Sequence, residues 1–156
     1  MTEMDNRYID RDTGQEHPTA VALINEFIRR FSQKVSEATG DSVTFDPLDG
    51  DGYTSVNRGS ATIGINVIEE QGVLLFLSRI MKIPQERSTE FYRYLLELNF
   101  LATSDGAFAI EKETDTVCLR ALRSVNGLEY AEFEDILHTV ATVADEWDDK
   151  LIEEFA

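Results

Sequence analysis

The chain is 156 residues long and 42% apolar, enough to bury one core with no disulfide or metal to hold it. Thirty acids against fourteen Lys and Arg leave a formal charge of −16 at pH 7 and a pI near 4.3. Such a chain repels phosphate backbones and anionic lipid, which excludes nucleic acid and membrane as partners and favours solubility or a basic or aggregation-prone protein partner.

Residues 1–17 carry no periodicity and few apolar groups, and are expected as a mobile arm before a single domain of residues 18–156. The start also lacks the basic segment and apolar core of a signal peptide, and no apolar run reaches membrane-spanning length. A cytoplasmic protein is expected. Pro18 suits the first turn of a helix. Val21, Ile24, Phe27, Ile28, Phe31 and Val35 then recur at spacings of three and four, predicting a helix over about 19–39 that Gly40 stops.

Residues 41–52 are turn chemistry, with Pro47, Gly50, Gly52 and several Asp. Asp46, Asp49 and Asp51 have the composition of a calcium loop. The EF-hand spacing is missing, though, and the next segment reads as strand. A short strand is predicted over 53–58. A second over 61–69 places Ile63, Ile65 and Val67 on one face, and a third over 73–81 is apolar on both faces in its first half.

Pro84 is expected to open a second helix. Its stripe is Phe91, Leu95 and Leu98, and Tyr94, Phe100 and Leu101 widen it beyond what one core face needs. A helix apolar over so much of its girth is covered by more than one neighbour, either the rest of the core or a second subunit. Strands over 107–112 and 116–123 follow, and then a helix from about 128 to 155. That helix has an apolar stripe ending near Trp147 and Leu151. Its other faces are acidic, with Lys150 as their one Lys or Arg. Acids in the last turns oppose the helix dipole, so the C-terminal turns are expected to fray at low salt.

The order α-β-β-β-α-β-β-α, with hairpin connections, implies an α+β fold: an antiparallel five-stranded sheet packed with three helices. Chemistry is scarce. His17 lies in the arm, and His138 lies beside the stripe of the last helix. Cys118, the single cysteine, reads as a small buried core residue. No HExxH, CxxC, GxGxxG, phosphate-binding loop or GxSxG elbow is present. The carboxylates of the last helix sit on its outer faces, where a dry acid–base pocket is not expected. No catalytic residue, cofactor or metal is assigned.

The stretch from Leu95 to Trp147 resembles the Tir-chaperone-like family, the class I chaperones of bacterial type III secretion. The likeness rests on Leu95, Leu96 and Asn99 at a helix end, Gly106 and Ala107 in a tight turn, and Glu113 and Thr114 in a hairpin. Leu119, Leu128, Phe133 and Trp147 follow, and the whole spans roughly residues 85–151. It implies a non-enzymatic, cytoplasmic bacterial homodimer that holds an extended segment of a client or effector protein without nucleotide. On that resemblance Phe91, Tyr94, Leu95 and Leu98 are the dimer candidates. Phe27, Phe31, Ile63 and Ile65 are the candidates for gripping the client peptide. Two rival readings stand beside it: a YbjN-like regulatory module that binds a folded protein, and a metal- or small-ligand-binding protein using the Asp-rich loop 46–51.

Overall fold

The computed structural model describes residues 8–156. Its elements run β1 (Tyr8–Ile9), β2 (Glu16–His17), α1 (Ala20–Thr39), β3 (Tyr53–Arg58), β4 (Ala61–Ile68), β5 (Val73–Lys82), α2 (Ser88–Leu101), β6 (Ala107–Glu111), β7 (Thr116–Ser124) and α3 (Tyr130–Phe155). Strands β3 to β7 form one five-stranded sheet in the order β3-β4-β5-β7-β6. With its three helices, this is the α+β fold expected from the sequence.

Strand alternation follows the expected period of two. Ala61, Ile63, Ile65 and Val67 of β4 are buried, as are Leu74 and Phe76 of β5 and Val117, Leu119 and Ala121 of β7. One glycine is dictated by geometry. Gly52, at the entrance to β3, sits at φ 77°, and a Cβ there would lie 2.5 Å from the carbonyl oxygen of Val67. That same close approach lets Val67 N–H donate to the Gly52 carbonyl at 2.8 Å.

The chain packs as two compact units. The first comprises Met1–Ser55 (described from Tyr8), Ile65–Leu75 and Arg123–Asp135; the second comprises Val56–Gly64, Phe76–Leu122 and Ile136–Ala156. In the first unit the ring of Phe27 lies 5.6 Å from both Tyr130 and Phe133, and Phe31 stacks on Phe45 at 5.4 Å. The polar residues Asn25, Ser32 and Ser36 of α1 hold the extended segment that follows it. Val43 N–H donates to Ser36 Oγ at 2.8 Å, Phe45 N–H to Ser32 Oγ at 2.9 Å and Leu48 N–H to Asn25 Oδ1 at 2.8 Å. The N-terminus of α1 is capped twice. Thr19 accepts from Ala22 N–H, and the Glu69 carboxylate accepts from Ala20 and Val21 N–H at 2.9 and 3.1 Å. A carboxylate there also meets the positive end of the helix dipole.

The expected mobile arm is different over its described part. Residues 8–17 form a β1–β2 hairpin with Tyr8 opposite His17 and Ile9 opposite Glu16. Gly14 turns it at φ 76°. Asp10 is 1% exposed and ion-paired to Arg30 of α1. Two-residue strands leave no alternation to read, so this element was invisible in the sequence. The first seven residues of the expected arm lie outside the described part of the chain.

In the second unit α2 starts at Ser88 rather than at Pro84. Arg87 stands before it at φ 59°, a left-handed conformation that interrupts the helical path. Phe91 packs edge-on to Phe155 with ring centroids 4.9 Å apart, and Tyr94 packs against Trp147 and Phe155 at 6.2 and 5.8 Å. The end of α3 has a basic partner that the sequence reading did not supply. Arg87 donates to the Glu154 backbone carbonyl at 2.9 Å and to the Glu154 carboxylate at 3.0 Å, and its guanidinium lies 4.8 Å over the Phe155 ring. A cation on a C-terminal carbonyl offsets the dipole that Glu153 and Glu154 oppose. The helix accordingly runs to Phe155.

Candidate protein-binding surfaces

Helix α2 has two apolar sides. Phe91, Leu95 and Leu98 recur at spacings of four and three and turn into the core. Tyr92, Leu96 and Phe100 recur at spacings of four on a neighbouring flank, and that flank is open: Leu96 is 70% exposed and Phe100 is 83% exposed. Leu101 is 85% exposed at the helix end. Arg93 and Glu97, paired at 2.9 Å, form a polar seam beside them. Large apolar side chains standing this far into water, several in one row, mark an interaction surface more than a single exposed leucine does.

The two edges of the sheet differ. At the β6 edge, Phe108 N–H donates to Asn99 Oδ1 at 2.7 Å, and Asn99 Nδ2 donates to the Phe108 carbonyl at 3.3 Å. The α2 amide thus takes both outward-facing backbone groups of Phe108, where an incoming strand would pair. The outward groups of β3 start in a similar way. Asp49 N–H donates to the Tyr53 carbonyl at 2.8 Å, and Tyr53 N–H donates to Asp49 Oδ1 at 3.0 Å. Ser55 and Asn57 share that outward parity and are exposed. Among the described residues nothing caps them as Asp49 caps Tyr53.

The expected site residues fall as follows. Phe27, Phe31, Ile63 and Ile65, the peptide candidates, all lie in the core. They cannot meet a client from where they stand. Of the dimer candidates, Phe91, Leu95 and Leu98 are also interior, while Tyr94 is half-buried against Trp147 and Phe155. The open flank of α2 and the unequal edges were the parts missed. Their signal was the residual apolar girth of α2, with Phe100 and Leu101 already named as surplus.

In the Asp-rich loop the Asp49 carboxylate is used internally. Asp49 Oδ1 accepts from the N–H groups of Asp51 and Tyr53 at 2.9 and 3.0 Å. Among the described residues no group of three His, Cys, Asp or Glu side chains is arranged to hold a metal ion. Cys118 is buried, with its Sγ 3.5 Å from the Ala109 carbonyl, and burial pushes its thiol pKa up. A low pKa, the mark of a reactive cysteine, is therefore not what this site produces. Among the described residues no helix is long and apolar enough to cross a membrane.

Comparison with known proteins completes the picture. Residues 23–148 match the model of the Tir chaperone protein (CesT) family. The chain belongs to that family, a family of type III secretion chaperones. None of the curated proteins compared with it is a significant sequence match. Among solved structures it is similar to a chain of the ExsC–ExsE complex, with 20% identity over 84% of this chain and 95% of that one and a TM-score of 0.64. It is also similar to a chain of the HopA1–SchA chaperone–effector complex, with 8% identity, 81% and 97% coverage and a TM-score of 0.58. A third likeness is to a chain of the heterodimeric ExoU–SpcU complex from the type III secretion system of Pseudomonas aeruginosa, with 14% identity, 85% and 97% coverage and a TM-score of 0.58. At these identities the likeness establishes the fold.

Proposed function

We propose that this chain acts as a homodimeric chaperone without catalytic activity, working in the bacterial cytoplasm. It pairs through the outer flank of α2 and keeps an extended segment of a secreted partner protein in a bound, unfolded state. The observation that carries the reading is the row Tyr92, Leu96 and Phe100, exposed on a helix whose other stripe already fills the core. Hiding Leu96 and Phe100 from water on pairing would contribute about 1.5–3 kcal/mol for each. The proposed pairing surface is thus rotated around the helix from the stripe first named, Phe91, Leu95 and Leu98, and Tyr94, which packs on Trp147 and Phe155, lies away from it.

For the client, the β3 edge at Ser55–Asn57 supports strand addition, because an extended peptide gains main-chain hydrogen bonds there without displacing a cap. The membership of the chain in a chaperone family supports a protein as the cargo. Solved complexes such as HopA1–SchA show a chaperone of this fold with an effector.

The test is the size of the purified chain in solution. Sedimentation should give a dimer for the parent and a monomer for Leu96→Asp/Phe100→Asp, with the circular dichroism spectrum of the fold retained in both. A parent chain that is monomeric at tens of micromolar, or a double variant that still pairs, would remove α2 as the interface.

A further inference from the structure

Four positions place an acid or amide side chain directly before a glycine: Asp49–Gly50, Asp51–Gly52, Asp105–Gly106 and Asn126–Gly127. In such a pair the glycine backbone nitrogen can reach the carbonyl carbon of the preceding side chain, because no Cβ stands in the way. The fold treats the four differently. Gly52 N–H donates to the Asp49 carbonyl at 3.0 Å, and Gly106 N–H donates to the Thr103 carbonyl at 2.9 Å, so both nitrogens are tied up. Asp49 offers a carboxylate, a far poorer electrophile than an amide, and its Oδ1 is held by the N–H groups of Asp51 and Tyr53.

Asn126–Gly127 lacks these restraints. Both residues are exposed, and among the described residues nothing is bonded to the Asn126 amide or to Gly127 N–H. They form the middle of the turn between β7 and α3. Leu128 N–H donates to the Val125 carbonyl at 3.0 Å across it. Gly127 sits at φ 85° while Asn126 keeps a negative φ, the signature of a type II turn. The flanks are fixed. Val125 is 0% exposed and Leu128 is 3% exposed, and Val125 N–H donates to the Gly72 carbonyl at 2.8 Å. For attack, the central peptide must swing about the line joining its two Cα atoms. A glycine takes up that change in φ, and the bond from Leu128 to Val125, made by the outer groups, stays in place.

We propose that Asn126 is a site of spontaneous covalent modification: conversion through a succinimide to aspartate and isoaspartate. Gly127 N gives its proton to solvent and forms a bond to Asn126 Cγ. The Asn126 amide nitrogen takes up a proton and leaves as ammonia. Water then opens the five-membered imide at either carbonyl. One water is consumed and one ammonia released, with no oxidant or cofactor. Either product adds a negative charge to the −16 of the chain. The isoaspartate also inserts a methylene into the backbone between the Val125 carbonyl and Leu128 N–H, in a turn whose two flanks are anchored. The entry to α3 is therefore the place where ageing loosens the protein.

The test incubates the full chain and Asn126→Gln for days in mildly alkaline buffer at physiological temperature. Intact mass reads the exchange of NH2 for OH, and a peptide map with an isoaspartyl methyltransferase as reagent locates isoaspartate. The parent should convert at residue 126, and faster as pH rises, because attack needs the deprotonated nitrogen. Asn126→Gln, whose ring closure would be six-membered, should stay unchanged over the same time, and the peptides holding Asp51 and Asp105 should stay free of isoaspartate. The isoaspartate form, separated by chromatography, should melt below the parent. Asn126→Asp, which adds the charge without the methylene, should melt close to it. A folded parent that keeps its mass, conversion that persists in Asn126→Gln, or isoaspartate forming first at residue 51 or 105 would overturn the site, and an isoaspartate form as stable as the parent would overturn its effect on α3. None of these readouts involves a dimer or a client, so failure here is distinct from failure of the chaperone reading.

Discussion

Asn99 gives both ends of its amide to one residue, Phe108, and thereby closes an edge that a strand would otherwise extend. Replacing it with Ala leaves a half-buried N–H and C=O without their partner, at a cost of about 1–3 kcal/mol. It also opens β6 to edge-to-edge pairing. Asn99→Ala should therefore both lower the midpoint of urea unfolding and increase thioflavin-positive aggregation; a variant as soluble and as stable as the parent would show that the edge is guarded by something else. Gly52 is constrained in another way. Gly52→Ala places a Cβ against the Val67 carbonyl at a positive φ and should cost at least about 1–3 kcal/mol in the same assay. Both roles were hard to see in the sequence. Asn99 stood out as part of a helix-end pattern, but its work depends on α2 lying beside β6, and no local spacing encodes that. Gly52 was legible as a turn residue, while the carbonyl that makes it irreplaceable comes from a different strand.

Among the elements, α2 separates what periodicity reveals from what it hides. The stripe Phe91, Leu95 and Leu98 was legible because core burial repeats every three to four residues. Which flank of the remaining apolar girth stays wet depends on where α3 and β6 stop covering the helix. Phe27, Phe31, Ile63 and Ile65 illustrate the same limit: an apolar residue on a stripe or an alternating face is identified as inward long before anything says that a client could reach it. The open flank predicts a separation of effects. Phe100→Ala should weaken self-association while changing the unfolding midpoint little, because 83% of that side chain is already in water. Phe91→Ala should instead destabilise the fold by about 3–5 kcal/mol. Comparing sedimentation with denaturant titration for the two variants checks this, and a Phe100 variant as unstable as the Phe91 one would refute it. The end of α3 depends on Arg87, whose bonds to Glu154 replace the basic last turn that the helix lacks. Arg87→Ala should raise amide exchange selectively in the last turn of α3.

For the molecule as a whole, charge sets the response to solvent. With a net charge of −16 the folded chain repels itself, so raising NaCl from about 10 to about 200 mM, which shortens the screening length several-fold, should raise the thermal midpoint. Acid acts in the opposite direction through particular groups. Burial alone would push Asp10 up, but hydrogen bonds from Arg30 and Asp12 outweigh it and hold the carboxyl below its ordinary value. Hydrogen bonding to Arg29 leads in lowering Glu26, and Arg79 with Thr114 lowers Glu111. Carboxyls depressed by folding stabilise in full above the unfolded value near 4, and lose that contribution as pH falls through the folded value. Stability should therefore hold from about pH 7 to 5 and drop below about pH 4. The Asp10→Asn variant should show a shallower drop than the parent, and circular dichroism melts across that range read the difference.

Cys118 has a practical corollary. As the chain's single cysteine, packed inside β7 with its thiolate disfavoured, it should stay silent toward maleimide and methanethiosulfonate reagents under native conditions. Nitroxides or fluorophores attached after Glu97→Cys, in the polar seam beside the pairing row, or after Ser55→Cys would then report helix pairing and strand capture separately on an otherwise unlabelled molecule, with the native sulfur left where evolution put it.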